Sequence, residues 1–498
     1  MERKLSSPDI TDCEQVCFRP KSEKMTSLSY PNDKDNSDAP SGTSMAESSQ
    51  VERIVRAIAR SIGDGTLISD QRLPSIRAMA TEHGVSRDTV QRGYDKLVAG
   101  GHLYARRGAG FYVAAPAIAK AFAPEPRPTV DLEKFQLIYA DLPPDRCPGS
   151  GMLLHDDGSV DELHRVVRGV ASSGFRLGSY GDPAGYLPLR QQLQNKLRID
   201  GIDAPLPSIM TVPGCVAGLT LIIRAFIRPR SYVLVEDPAS FIHTQALLAQ
   251  GAEILRVPRE ADGPDIDVLR LLCERYRPAM FLMTSVLHNP TGSSISLHKA
   301  RKLIEIAAEF DMMLVDDASY ADLSPSPAGR PVVPLAVLDQ LEHVIHVGGS
   351  SRVLAPEIGA GYIVANEQRM NLLRLFRPVQ CLGNMLIQER VLYRFLSDGL
   401  YRRRCERIRT TLAQRATAVR HALAATSCTI APASGGMFLW ADLGPAHSAI
   451  DVARRMLKQG FLTAPGSHFS PPKTDNTQMR FNVTTTTPMA LEALAGCL

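Results

Sequence analysis

Two sets of residues in this sequence are equipped for chemistry. The first is arginine-rich and lies near the amino terminus. The run SRDTVQR (86–92) puts Arg87, Thr89, Gln91 and Arg92 at the start of a helix-length segment capped by Ser86. Arg and Gln are side chains that read base edges. Arg72 and Arg77 flank LPS (73–75), whose Ser75 suits a helix cap, and both arginines could hold phosphates. Arg106 and Arg107 precede Gly108 and Gly110, which permit a tight turn. The second set is spread along the rest of the chain. Asp317 ends the apolar run MMLVDD (312–317), and Tyr320 follows three residues later. Asn289 lies in HNPTG (288–292) and Arg480 in QMRF (478–481). A guanidinium such as that of Arg480 suits bidentate recognition of a carboxylate. Arg352 stands in a Gly/Ser-rich segment, GGSSRVLAPEIGAGY (348–362). An arginine keeps its proton, so this position offers a permanent cation and no nucleophile.

The elements that must position these residues fall into two patterns. Val51, Ile54, Val55, Ile58 and Ile62 recur at helical spacing, so a first helix is expected from Val51. A second is expected over 75–83 and a third from Ser86 to about Ala99. Two short strands, 102–104 and 111–113, then flank RRGAG. Three helices and a two-stranded wing make a winged helix-turn-helix. Residues 51–113 hold ten Arg or Lys against six Asp or Glu, an excess equal to the whole chain's net charge of +4. This is a basic module on a near-neutral body. Residues 1–48 are polar and expected to be disordered, with Met1, Met25 and Met45 as alternative starts. The Ala- and Pro-rich segment 115–139 reads as a linker.

Beyond residue 140 the runs YVLVED (232–237), MFLMTS (280–285), MMLVDD and HVIHVG (343–348) alternate with helix-length segments. That is the pattern of parallel βαβ units, whose sites lie at the carboxyl ends of the strands. The 498 residues call for more than one domain. No apolar run reaches the ~18 residues of a membrane span, and the start lacks a signal-peptide core. The nine scattered cysteines show no metal-binding or disulfide spacing, which implies reduced thiols in a cytoplasm.

Two resemblances sharpen this reading. The run GTLISDQRLPSIRAMATEHGVSRDTVQRGYDKL followed by GAGFYV resembles the GntR family of bacterial regulators, with Asp70 and Gly93 departing from the usual residues. It implies that residues 49–114 are a winged helix-turn-helix that binds operator DNA. Its implied contacts are Arg72, Ser75, Arg77, Ser86, Arg87, Thr89 and Arg106, beside Gln91, Arg92 and Arg107.

The ordered series YGDPAG (180–185), VPG (212–214), EDP (236–238), HNPTG, DDASY (316–320), GGMFLW (435–440), APGSHF (464–469) and QMRF resembles the class I aminotransferases. It implies an α/β fold of the pyridoxal-phosphate fold type I over 140–498, with a mainly parallel central sheet. The two together resemble the MocR subfamily: regulators whose enzyme-like body senses a ligand and makes a homodimer. By this resemblance Asn289 and Tyr320 would bond the cofactor's ring oxygen, and Asp317 its ring nitrogen, with Asp316 as the alternative if the register slips. Phe241 would stack on the ring, Tyr180 would reach the neighbouring subunit's phosphate, and Arg480 would bind an α-carboxylate. The family's Schiff-base lysine falls on Arg352, its phosphate-binding arginine on Gly359 and a serine on Gly349.

The expectation is therefore a bacterial DNA-binding regulator, not an enzyme. It would sense an amino acid or B6 vitamer and hold pyridoxal phosphate or a related B6 phosphate, if at all, without a covalent bond. The alternative is a working aminotransferase with an appended DNA-binding domain; Arg352 argues against it. No metal site is expected.

Overall fold

The computed structural model describes residues 43–63, 67, 71–99, 102–106, 109–114, 141–174, 178, 180–325, 333–382, 385–426, 428–471 and 476–498. Arg107 and the expected linker 115–139 lie outside the described residues, as does 1–42 of the expected disordered segment.

In the head, α1 (Thr43–Gly63), α2 (Ile76–His83) and α3 (Arg87–Ala99) precede β1 (Leu103–Arg106) and β2 (Gly110–Val113). The first helix starts at Thr43, inside the segment expected to be disordered. Ser75 caps α2 by accepting from the Ala78 amide at 3.2 Å, and Gly84 ends it in the left-handed conformation at φ 64°. Ile54, Ile58, Leu73, Val90, Tyr94 and Leu97 form one buried cluster. The hydroxyl of Tyr94 donates to the Pro74 carbonyl at 2.9 Å, which ties α3 to the start of α2. Gly93 costs α3 about 1 kcal/mol in helix propensity, but it has a packing reason. A Cβ there would stand 3.2 Å from Cγ2 of Ile54, so glycine lets α1 lie close against α3.

The body is built on an eight-stranded sheet in the order β3-β10-β9-β8-β7-β4-β5-β6. Its strands are β3 (Ile209–Val212), β4 (Tyr232–Asp237), β5 (Glu253–Glu260), β6 (Gly263–Pro264), β7 (Met280–Met283), β8 (Met313–Asp317), β9 (Val344–Gly349) and β10 (Gly361–Val364). The pairs β5–β4, β4–β7, β7–β8 and β8–β9 are parallel, whereas β10 is antiparallel to both its neighbours.

Both faces of the sheet are covered. Leu234, Phe281, Met283 and Leu314 enter one core; Val233, Val235, Met280, Leu282 and Val315 enter the other. Alternate residues therefore go to opposite cores, and the central strands β4, β7 and β8 are apolar up to their carboxyl ends. A smaller antiparallel sheet follows, ordered β11 (Thr429–Ile430), β12 (Phe438–Asp442), β14 (Gln478–Asn482) and β13 (Ala464–Pro465). The parallel strands bring Asp317 and the 350–360 loop to one edge, and β14 carries Arg480.

Tyr94 joins packing and hydrogen bonding in the head. Tyr94→Phe should lower stability by about 1 kcal/mol, and Tyr94→Ala by about 3–5 kcal/mol. Thermal unfolding of the full chain should show the two losses in that order.

Candidate functional site

One cavity at the carboxyl edge of the large sheet is lined by Asn289, Asp317, Tyr320, Phe241, Arg352 and Arg480. Residues scattered over more than two hundred positions thus converge. Gly151, Met152, Cys215, Val216, His243 and Ser319 lie around or beside them. No lysine lines this cavity among the described residues.

Asp317 is the buried acid of the site. His243 lies opposite it, with Nε2 2.7 Å from Oδ2. The Ser319 amide donates to Oδ1 at 3.0 Å, and the Ser319 hydroxyl donates to the same oxygen. Burial alone would raise the Asp317 pKa; the bonds from His243 and Ser319 overcome it and hold the carboxyl below its usual value. Asp316, the alternative in the register, is turned away. Its oxygens accept from the Ser285 amide at 2.9 Å and the Ser285 hydroxyl at 2.6 Å.

Arg480 is 2% exposed. It donates to Oδ1 of Asn289 at 2.7 Å and to the Gly149 carbonyl at 2.6 Å, and lies 4.5 Å and 4.8 Å from the ring centroids of Phe438 and Phe469. Phe438 meets Tyr320 edge to face at 5.3 Å, and on Tyr320 lies the Arg352 guanidinium, 5.3 Å from the ring centroid. The order is cation, ring, ring, cation. Phe241 is buried at the start of the Phe241–Ala249 helix, and its ring meets Phe469 at 6.4 Å. Tyr180 does not line the cavity; it is 71% exposed.

Two of the four glycines of the 348–362 segment, Gly349 and Gly359, show how close approach fixes it. A Cβ on Gly349 would stand 2.4 Å from the Cys215 sulfur, and one on Gly359 would stand 2.5 Å from the Cα of Ser351. No side chain can start from position 359 without moving that backbone. Gly214, at φ 91°, opens the Cys215–Phe226 helix beside Ser351 with no side-chain cap.

His243 is the site residue that sequence reasoning missed. Nothing separates it from a helix histidine except its place two residues after Phe241. Cys215 also went unremarked; burial pushes its thiol up to about 12, so it is neutral.

In the head, Arg72, Arg77, Arg87, Arg92 and Arg106 are exposed. Arg106 donates to the Tyr104 hydroxyl at 2.9 Å and lies 4.7 Å from the Tyr112 ring centroid, so the wing arginine is pre-oriented. The Arg72 backbone bridges to Tyr112, extending the wing. Gln91 donates to Asp95 at 2.9 Å. Thr89, expected at the DNA face, sits at the buried start of α3. Its side chain is 4% exposed and its hydroxyl lies 2.8 Å from that of Ser86, which caps α3 by accepting from the Thr89 amide at 3.0 Å. Ser75 and Ser86 likewise spend their hydroxyls on caps.

Burial raises the Asp316 pKa to about 6. An unfolded aspartate titrates near ~3.9. Between those values the folded chain holds a proton that the unfolded chain has lost, so stability falls as pH rises through that window and is level above it. Asp316→Asn should remove this part of the slope, on the order of 2–3 kcal/mol. Urea unfolding of both proteins at pH 4.5 and pH 7.5 measures the difference.

Comparison with known proteins fits this geometry. Residues 149–498 match the family model "Aminotransferase class I and II" and residues 50–113 match "Bacterial regulatory proteins, gntR family". The HTH-type transcriptional regulator YdfD of Bacillus subtilis is 23% identical over 87% of this chain and 92% of its own. The probable rhizopine catabolism regulatory protein MocR of Rhizobium meliloti is 27% identical over 70% of this chain and 72% of its own. Among solved structures, the multiple substrate aminotransferase of Thermococcus profundus superposes with a TM-score of 0.66 at 23% identity, covering 77% of this chain and 96% of that one. The chain therefore belongs to the class I and II aminotransferase family, and its GntR-family head gives it the two-part architecture of the MocR-type bacterial regulators.

Proposed function

We propose that this protein is a bacterial transcription regulator whose aminotransferase-like body senses a small ligand without bonding to it covalently. The observation that carries the reading is the make-up of the cavity: Arg352 lines it and, among the described residues, no lysine does. An arginine retains its proton and can neither attack an aldehyde nor shuttle a proton. The alternative, a working aminotransferase with a DNA-binding head, needs a lysine for both tasks.

The residues present fit the ring of a B6 compound held non-covalently. Asp317, kept ionised by His243 and Ser319, would pair with a protonated ring nitrogen. Asn289 and Tyr320 would bond the ring oxygen, and Phe241 would stack on the ring. When bound in a family enzyme, such a ring supplies an electron sink. Here the chain's own residues would bind and orient it, while Arg480 takes a carboxylate. Arg352 would restore the positive charge that position 359 does not offer.

The reading has the protein work as a cytoplasmic homodimer. Support comes from exposed apolar side chains of the body, Leu375 (74%), Val379 (67%) and Leu382 (69%), and from the exposed Tyr180, poised to reach a neighbour. No helix among the described residues is long and apolar enough to cross a membrane, and none of their His, Cys, Asp and Glu side chains form a metal-binding group.

The head would bind operator DNA, with Arg87 and Gln91 at base edges and Arg72, Arg77, Arg92 and Arg106 on phosphates. Residues 49–114 would form this unit and 140–498 the sensor and dimer body. Four phosphate contacts from each of two heads give an expected slope of log K against log salt near −7, at ~0.9 per contact. Arg77→Ala and Arg92→Ala should each make it shallower, by about 2 across the dimer. Arg87→Ala should relax preference for a duplex selected from a random pool by the wild-type chain. Fluorescence anisotropy over a salt series measures all three; affinity indifferent to salt would contradict the proposal.

A further inference from the structure

The cavity holds two guanidinium groups and one acid, and the acid is already engaged. Asp317 has His243 on one oxygen and Ser319 on the other. No acidic side chain among the described residues pairs with Arg480 or with Arg352. The Nε of Arg480 is buried and has no partner. Burial, with the charge of Arg352 adding to it, lowers the Arg480 pKa to about 10. Arg352 makes only loose contacts: 3.5 Å to the Tyr320 hydroxyl and 3.6 Å to the Met152 sulfur. These are at or beyond the limit of a useful hydrogen bond. A buried, unpaired charge is costly unless a partner arrives. Here Arg480 is buried and Arg352 half-buried, and both line the one cavity with the Tyr320 and Phe438 rings between them.

We infer that the ligand of this cavity is a small dianion, with a carboxylate for Arg480, a second anionic group for Arg352, and no ammonium beside that second group. This rests on the reading of the cavity as a ligand sensor and names the ligand's class. Each guanidinium offers a forked set of donors that matches a carboxylate or a phosphate. The two sources of the second anion, carboxylate and phosphate, share this chemistry. Position 352 also discriminates. The permanent cation of Arg352 repels an amino acid's ammonium. A 2-oxo acid should therefore bind better than the amino acid of the same skeleton.

The test is calorimetric titration of the full chain with 2-oxoglutarate, succinate, 3-phosphonopropionate, glutamate and butyrate. Dianions are expected to bind at least tenfold more tightly than butyrate, and 2-oxoglutarate at least tenfold more tightly than glutamate. Succinate against 3-phosphonopropionate tells carboxylate from phosphate as the second anion. Arg352→Gln should abolish the advantage of dianions over butyrate; Arg352→Lys, which keeps the charge, should retain most of it. The inference is overturned if butyrate equals the dianions, if no dianion binds at millimolar concentration, or if Arg352→Gln keeps the preference. DNA affinity measured beside these titrations separates the two ideas. A dianion that binds without changing DNA affinity sustains this inference and defeats the sensor reading. A B6 phosphate that shifts DNA affinity while no dianion binds does the reverse.

Discussion

A buried carboxylate has to be paired, and Asp317 sets the geometry of the site through that requirement. It ends β8, a strand covered on both faces, so it cannot turn to solvent. Its partners must come from elsewhere in the fold: His243 from the Phe241–Ala249 helix and Ser319 from the following turn. Fixing His243 fixes the start of that helix, and with it Phe241. The turn that supplies Ser319 also delivers Tyr320, on which Arg352 rests. One electrostatic constraint thus links a strand end, a helix start and the 350–360 loop.

The second framework is the stack that joins Arg352, Tyr320, Phe438 and Arg480. It couples the large parallel sheet to the small antiparallel one, because Arg480 and Phe438 lie on β14 and β12. A charged ligand placed among these groups would touch both sheets at once. On the proposed sensor reading, a ligand that gripped both sheets more tightly in one arrangement than in another would shift the body toward it. The aminotransferase fold is retained, and Arg352 lines its cavity.

Much of the fold was legible in the sequence, for physical reasons. YVLVED and MMLVDD read as buried parallel strands because each residue enters one of two cores and none needs to be polar before the end. The cap at Ser75 and the stop at Gly84 follow from the orphan groups of helix ends. Asp317, Asn289, Tyr320, Phe241 and Arg480 could be named from ordered motifs, though their convergence depends on tertiary pairing. What was not legible depended on direction. Thr89 lies on the helix expected to enter the groove, and its hydroxyl lies against that of Ser86 at the cap, a contact the sequence does not announce. Asp316 and Asp317 are neighbours in sequence and face opposite sides, one to Ser285 and one to the cavity. His243 carries no sequence signal, because its role exists only once β8 is beside its helix. The β10 strand and its antiparallel pairing likewise gave little periodic signal over four residues.

The most direct measurement exposes the full chain and its Arg352→Lys variant to pyridoxal phosphate, records visible absorbance, reduces with borohydride and maps the modified peptides by mass. A sensor that has lost only its covalent link gives no stoichiometric adduct in the wild-type chain and one at position 352 in the variant. A stoichiometric reduced adduct on a lysine of the wild-type chain would contradict the non-covalent pocket and return catalysis to this protein.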